Sequence, residues 1–163
     1  MRIEARLEAL GLALPAVLEP PAGVRLPFAT VRLHGDRAYL SGHGPLQTDG
    51  SLRPPFGKVG ADATVEEAYD AARATALAML GDLRRALGDL DRVTAWLRVF
   101  GMVNAAPGFV QTPAVINGFS DLILDLWGPD AGSHARSAIG VAALPFGMLV
   151  EVEAEVAIQA IQF

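Results

Sequence analysis

The residues best suited to chemistry lie near the C-terminal end, in two apolar runs separated by Leu144-Pro145. Arg136 opens the first run, and the next charged residue is Glu151, after fourteen uncharged residues. Pro145 and Gly147 predict a turn between two strands, and a hairpin there would bring Arg136 and Glu151 to the same region of a sheet. An arginine and a carboxylate that border an apolar pocket would suit a small carboxylic acid and a water molecule.

The pattern around these two charges also allows simpler interpretations. Glu151, Glu153 and Glu155 alternate with apolar residues, which is ordinary strand periodicity with one solvated face. Adjacent carboxylates on that face would raise the pKa of Glu151 and help it act as a base near neutral pH. For Arg136, spacing alone slightly favours an exposed arginine at a strand edge over a carboxylate-binding one.

Apolar periodicity predicts three helices in this sequence. Ile3, Leu7 and Leu10 indicate a short amphipathic helix before a proline-rich linker from Leu14 to Pro27. Thr64-Val-Glu-Glu67 fits a capping box at the start of a helix that ends near Gly88. A further helix is expected over 109–127, interrupted near Thr112-Pro113 and ended by Gly128-Pro129.

Runs rich in Val and aromatic residues predict the strands. They are Phe28–Leu33, Arg37–Ser41, a short one near Lys58-Val59, Arg92–Asn104, Ser137–Ala143 and Leu149–Ile158. This order is typical of an α+β sandwich, a mainly antiparallel mixed sheet with two helices packed on one face, plus the N-terminal helix. We expect one domain over residues 1–163, in which residues 1–23 form an N-terminal helix and linker extension.

Composition narrows the class of protein. Hydrophobic residues make up 52% of the chain and charged residues 19%, so we expect some apolar surface to face another subunit. A net charge of −5 and the lack of a basic cluster argue against nucleic acid as a partner. There is no cysteine, which excludes disulfides, thiolate metal sites and a cysteine nucleophile. The long uncharged stretch from Val99 to Ser120 contains prolines, asparagines and a glutamine, which argues against a membrane span. A cytoplasmic protein is the simplest expectation.

The C-terminal segment resembles the signature of the Rid family, also called YjgF-like or reactive intermediate deaminases. The resemblance rests on Ala135-Arg-Ser-Ala-Ile139, Leu144-Pro145 and Val150-Glu-Val-Glu153, and it extends over most of the chain from Val24. Supporting segments upstream are Tyr39-Leu-Ser-Gly42, Gly44-Pro45, Gly57-Lys-Val-Gly60 and Val115-Ile-Asn117. The longer N-terminal segment and the longer loop from Gln47 to Phe56 place the chain nearer the longer endoribonuclease or chorismate-mutase-like subgroup.

This resemblance implies the chorismate-mutase-like fold, assembled as a homotrimer with pockets between subunits. It also implies that Arg136 binds a substrate carboxylate and that Glu151 orients the attacking water. It places Ser41, Gly42 and Ser137 among the substrate-binding residues.

Three further positions are open to more than one interpretation. Asn117 is either a helix cap or a polar group near the ligand. Phe28 stands where deaminating relatives commonly carry a tyrosine, so it keeps an aromatic wall without the hydroxyl; Ala138 likewise stands where many relatives have cysteine. His43 is a candidate lining residue, while His34 and His134 are expected in turns and no histidine spacing matches a metal site.

Together these features lead to the hypothesis of a hydrolytic deaminase of small 2-imino or 2-enamino acids, which yields 2-oxo acids and ammonia. No cofactor is expected, because an imine is already reactive and the site need supply only positioning and one proton transfer. The alternative is a protein that binds a 2-oxo acid in the same pocket without turnover and signals through a partner.

Overall fold

The computed structural model describes residues 2–161 and contains three helices and five strands within that range. The helices are α1 (Arg2–Ala9), α2 (Val65–Leu87) and α3 (Thr112–Gly132). The strands are β1 (Val31–His34), β2 (Arg37–His43), β3 (Val93–Asn104), β4 (Ala135–Val141) and β5 (Val150–Ile158). Short 3₁₀ turns occupy Leu90–Arg92 and Pro145–Gly147. This is the predicted α+β class.

The boundaries of α2 follow from its terminal residues. The Thr64 hydroxyl accepts a hydrogen bond from the Glu67 backbone N–H at 3.1 Å, and the Glu67 carboxylate accepts one from the Thr64 N–H at 3.1 Å. At the other end, Gly88 is left-handed and donates its N–H to the carbonyl of Arg84 at 2.8 Å. The predicted capping box and glycine stop are both confirmed.

The helix α3 differs from the prediction at its start but not at the end of its regular part. Pro113 does not interrupt it but lies in its first turn, where a missing N–H has no cost. Gly128 leaves the helical region (φ 77°, ψ 177°), and one more helical turn then runs from Pro129 to Gly132. The regular helix therefore ends at Trp127, as the Gly128-Pro129 pair predicted, and residues 129–132 form a separate final turn beyond the break.

The sheet has the strand order β1-β2-β5-β3-β4, with every pair antiparallel except β3–β4. The predicted hairpin between the last two strands was therefore wrong, since β3 lies between β4 and β5. Asn104, the last residue of β3, holds the crossing segment by donating its N–H to the Leu149 carbonyl (2.9 Å) and its side-chain amide to the Met148 carbonyl (3.2 Å). The helix α3 supplies the connection that a parallel β3–β4 pair requires.

One face of the sheet packs on α2 and α3 and carries the apolar core. Trp96 of β3 makes edge-on contacts with the rings of Phe119 and Trp127 on α3, at centroid distances of 5.9 and 5.4 Å. The opposite face of the sheet is open and carries exposed side chains such as Tyr39 and Ile139. The two helices on one face match the prediction.

The N-terminal segment is attached to this body. In α1, Ile3 and Leu7 are buried, while Leu10 lies beyond the helix and is 47% exposed. The Asp91 carboxylate accepts hydrogen bonds from the N–H groups of Arg2 (2.6 Å) and Ile3 (2.8 Å), which holds the start of α1.

The short strand predicted near Lys58-Val59 is only an isolated bridge, in which Val59 pairs with Ala105. Within residues 2–161, no helix has the length and apolarity needed to cross a membrane.

Candidate functional site

Glu151 lies at the edge of a cavity of about 290 Å³, where β2 and β5 run side by side. Its carboxyl group lies directly over Gly42: a Cβ built on residue 42 would be 2.9 Å from both Cδ and Oε1 of Glu151. Only glycine allows this approach, so the Ser41-Gly42 bulge of β2 positions the carboxylate. Within residues 2–161, Glu151 forms no hydrogen bond or salt bridge that would tie up its oxygens.

The environment of Glu151 favours the protonated form. Burial raises the pKa of its carboxyl group above the usual range, the Glu153 carboxylate raises it further, and His43 acts in the opposite direction. A carboxylate with a raised pKa is a stronger base than an ordinary glutamate. The predicted effect of the neighbouring carboxylate is present, but burial is the larger cause.

His43 is a buried neighbour of this carboxylate. Its Nδ1 lies 2.6 Å from the Ser41 carbonyl and its Nε2 lies 3.0 Å from Oδ2 of Asp82. Both ring nitrogens therefore have a polar partner within hydrogen-bond distance. Burial opposes the charge of Asp82, but hydrogen bonds from His43 and Arg85 lower the pKa of its carboxyl below the usual range. His43 therefore lines the cavity with its own polar atoms already paired.

Arg136 lies at the other side of the molecule, on the edge strand β4, against α3. Its Nη1 donates to Oδ1 of Asn117 at 2.8 Å and to Oγ of Ser120 at 3.1 Å, and Nη2 makes only a long 3.4 Å contact with the Pro113 carbonyl. Among the described residues it forms no salt bridge. Burial lowers the pKa of this guanidinium, and the more distant Asp121 raises it. The result is a positioned cation with donors free for an anion.

A short relay behind Arg136 was missed at the sequence level. The Ser120 hydroxyl lies 2.9 Å from Nε2 of His134, and Nδ1 of His134 lies 2.8 Å from the Gly132 carbonyl. Because that carbonyl can only accept, Nδ1 carries the proton and Nε2 accepts from Ser120, which in turn accepts from Arg136. His134 was expected to be a turn residue, but it is half-buried and part of this chain of hydrogen bonds. Its position two residues before Arg136 was the available signal.

Arg136 and Glu151 do not meet within one chain. Arg136 pairs with Val99 and Glu151 with Met102, so a whole strand lies between them and they differ by three residues along it. With a strand spacing of ~4.8 Å and a rise of ~3.3 Å, their Cα atoms are roughly 14 Å apart. They also point to opposite faces, Arg136 towards α3 and Glu151 away from buried Val150 and Val152. The expectation that a hairpin brings them together was wrong.

The other predicted site residues divide between the two regions. Phe28, Gly42 and His43 line the cavity with Glu151, while Asn117 contacts Arg136. The hydroxyl of Ser41 donates to the Ala29 carbonyl at 2.7 Å, so it holds the segment before β1 in place. Ser137 is exposed on the open face of β4, beside Phe100 of β3 in the register.

This α+β architecture, a helix-backed mixed sheet with an open opposite face, is that of the chorismate-mutase-like proteins. The chain matches the family described as YjgF/chorismate_mutase-like, putative endoribonuclease, over residues 4–156, and it belongs to that family. Protein TCP17 of Trypanosoma cruzi is 41% identical over 153 residues, which span 94% of this chain and 92% of TCP17.

Solved structures show the same fold. A protein of unknown function from Agrobacterium tumefaciens superposes with a TM-score of 0.85 at 36% identity, covering 97% of this chain and 94% of the other. An endoribonuclease-labelled protein from Shewanella oneidensis gives 0.85 at 30% identity, covering 97% of this chain and 100% of the other. A Rid family protein from Yersinia pestis, at 20% identity and a TM-score of 0.59 over 88% of this chain and 98% of the other, shares the fold.

Proposed function

We propose that the protein is a hydrolytic deaminase of 2-imino and 2-enamino acids and that each active site is shared by two copies of the chain in a homotrimer. The observation that carries the proposal is the separation of two unpaired, complementary groups. Within the part of the chain that the structure describes, one region holds Arg136 without a carboxylate partner, and the other holds a half-buried Glu151 with a raised pKa. Each is incomplete within one chain, and a second copy would supply the missing half.

The reaction needs one binding contact and one carboxylate that moves protons from water to nitrogen. The guanidinium of Arg136 binds the substrate carboxylate through paired hydrogen bonds, with Asn117 and Ser120 fixing its orientation. Glu151 of the other copy accepts a proton from water as the water oxygen bonds to the C=N carbon. Glu151 returns that proton to the nitrogen, which gives the carbinolamine. The carboxylate then transfers the hydroxyl proton to the same nitrogen as the C–N bond breaks and the C=O bond forms, and ammonia and a 2-oxo acid leave. An enamine enters the same route after tautomerising to the imine.

The other activities that belong to this family's description are supported less well. An endoribonuclease must bind a polyanion, whereas this chain has a net charge of −5, and Glu151 would repel phosphate. Chorismate mutase chemistry is suggested only by the name of the fold, which does not establish a function.

A binding protein without turnover is the second candidate, and Phe28 favours it. This ring lines the cavity beside Glu151 but has no hydroxyl to offer a substrate or water. A coupled assay separates the two functions: an L-amino-acid oxidase generates imines, and the appearance of 2-oxo acid is followed with and without the protein. Unchanged rates, together with thermal stabilisation by 2-oxo acids, would establish the binding function and exclude the deaminase.

The shared site predicts that assembly and activity are lost together. Ile139 is 41% exposed on the open face of β4, where a second copy is proposed to pack. We expect the parent protein to be a trimer at micromolar concentration and Ile139→Glu to dissociate it and abolish deamination, because a buried unpaired charge is costly. Light scattering gives the mass. Leu10→Glu is the matched control, since Leu10 is similarly exposed (47%) but lies just after α1 and not on β4. A fully active Ile139→Glu monomer would refute the shared site.

The relay behind Arg136 predicts a pH dependence of ligand binding. Burial and the Arg136 cation lower the pKa of His134 below its usual 6.5, although the bond to the Gly132 carbonyl opposes them. The ring is therefore neutral at pH 7 and protonates only as the pH falls through that depressed pKa, when Nε2 can no longer accept from Ser120. We expect 2-oxo acid affinity to weaken over that range.

Two variants test this dependence. His134→Gln keeps a neutral acceptor, so it should retain the affinity of the parent at pH 7 but lose this part of the acid dependence. His134→Ala should weaken binding at pH 7 by roughly tenfold, the effect of about 1.4 kcal/mol in positioning. Calorimetric titration at several pH values measures both. Identical pH profiles for the parent and His134→Gln would contradict the relay.

A further inference from the structure

The segment between α1 and β1 supplies part of the cavity beside Glu151, and the mechanism above assigns this segment no role. Leu18 and Leu26 lie in the proline-rich linker and, with Phe28 just after it, form one wall of the cavity. Leu26 is 37% exposed and Phe28 is 55% exposed, which is high for large apolar side chains. Ligand binding would remove this surface from water.

The linker wall is held in place by hydrogen bonds to the rest of the protein. Ala16 donates its N–H to the Thr48 carbonyl at 2.9 Å, and Glu19 donates to the Gly50 carbonyl at 3.2 Å. Arg85 of α2 donates from Nη1 to the Pro15 carbonyl at 3.2 Å. The linker is therefore attached to the loop that carries Leu46 and Leu52, two further lining residues, so the wall is formed before any ligand binds.

The cavity has one apolar part and one polar end. Its apolar lining residues are Leu18, Leu26, Phe28, Leu46, Leu52, Ala78, Pro145, Phe146 and Met148. Its polar end is formed by Glu151 and by His43 and Asp82, whose side chains already contact each other. No lysine or arginine is among these lining residues, all within the described range, so a substrate carboxylate finds no partner here and is repelled by Glu151. An apolar group fits the cavity, and an anion does not.

We propose that this cavity is the side-chain pocket of the site and that the linker makes the protein selective for 2-imino acids with branched aliphatic or aromatic side chains. The inference rests on the proposed deaminase function for its chemistry. In that arrangement the carboxylate faces Arg136 of the other copy, the C=N carbon lies beside Glu151, and the side chain enters the apolar part. A volume of about 290 Å³ is near the lower end of ~300–1,000 Å³ for ligand pockets, which suits a side chain better than a large cofactor.

The expected selectivity follows from the apolar surface that the substrate buries. Each CH₂ group that moves from water into the cavity should raise the binding constant by roughly a factor of four. The leucine-derived imine has three more side-chain carbons than the alanine-derived imine, so its kcat/KM should be higher by roughly 60-fold. The corresponding 2-oxo acids, 4-methyl-2-oxopentanoate and pyruvate, should differ in affinity in the same direction, whether or not the protein turns imines over.

The experiment compares the parent protein with Leu18→Ala/Leu26→Ala and with Val17→Ala. Val17 is 57% exposed, adjoins Leu18 and lies outside the cavity lining, so its variant controls for changes in the linker surface. Rates are measured with imines that an L-amino-acid oxidase forms from alanine and from leucine. Affinities for the two 2-oxo acids are measured by calorimetry. The double variant should lose most of the preference for the leucine-derived ligands, and Val17→Ala should keep it.

The outcomes separate this inference from the function on which it rests. Equal rates with both imines, and equal affinities for both 2-oxo acids, would overturn the pocket while leaving the deaminase intact. Preferential binding of 4-methyl-2-oxopentanoate without any turnover would support the pocket and exclude the deaminase. A double variant that keeps the full preference would overturn the role of the linker wall in selectivity. If the mass of the oligomer also changed in that variant, the linker wall would serve assembly instead.

Discussion

Glu151→Gln is expected to lower the deaminase rate by roughly 10²–10⁴-fold while ligand binding persists, because glutamine keeps the shape of the side chain but cannot accept a proton from water. The amide would still fit over Gly42, where the carboxyl group lies against the backbone. Loss of the negative charge should tighten the binding of a carboxylate ligand. Single-turnover rates and calorimetric titration with a 2-oxo acid measure the two effects separately.

Glu153→Gln is the matched control for this substitution. It changes the same residue type on the same face of β5, one alternation further along, where the side chain is exposed. Its effect on rate should be small and limited to the removal of one charge that raises the pKa of Glu151. Equal losses in both variants would show that the carboxylates act only as an acidic face, and no loss in either would remove Glu151 from the mechanism.

Glu151→Gln should also make the folded protein more stable at neutral pH. Burial raises the pKa of Glu151 in the folded state above its unfolded value, so the folded protein favours the protonated carboxyl. The stability that this group contributes is present below the unfolded pKa and is lost as the pH rises through the folded pKa. Glu151→Gln should therefore raise the thermal midpoint at pH 7 but give no gain below about pH 4. A lower midpoint at pH 7 would mean that the carboxylate stabilises the fold.

Arg136→Ala is expected to weaken 2-oxo acid binding by roughly 100-fold or more, because two charge-assisted hydrogen bonds of about 1.5–3 kcal/mol each are lost. Arg136→Lys should also fail, by at least roughly tenfold, since an ammonium cannot satisfy Asn117, Ser120 and a carboxylate in one plane. The fold should persist in both variants, because Arg136 lies on an edge strand outside the apolar cluster. Calorimetry and far-ultraviolet circular dichroism report binding and folding.

Arg37→Lys controls for the general loss of an arginine. Arg37 is the first residue of β2 and is exposed. It pairs with Glu155 at 2.6 Å, an interaction that lysine can also make. Its affinity for 2-oxo acids should match that of the parent. Binding by Arg136→Lys at the parent level would contradict the paired hydrogen bonds proposed for Arg136.

Local physical chemistry explains the features that the sequence determined by itself. The capping box at Thr64 and Glu67 joins residues three apart, so it is visible in the sequence and is confirmed. The charges at Arg136 and Glu151 and the uncharged stretch between them were equally visible. The family signature in the same segment indicated the α+β fold class, and the family match confirms it. These features depend on residue type and short spacing.

Tertiary structure decided how these elements and charges are arranged. Whether β4 pairs with β5 or with β3 depends on contacts such as that of Asn104 with the crossing segment, which are distant in sequence. That pairing places Arg136 and Glu151 on opposite faces of the sheet. The relay through Ser120 and His134 likewise joins a helix to the start of a strand. The linker became a cavity wall because its carbonyl and amide groups found partners in α2 and a loop, and no local pattern encodes such long-range pairing.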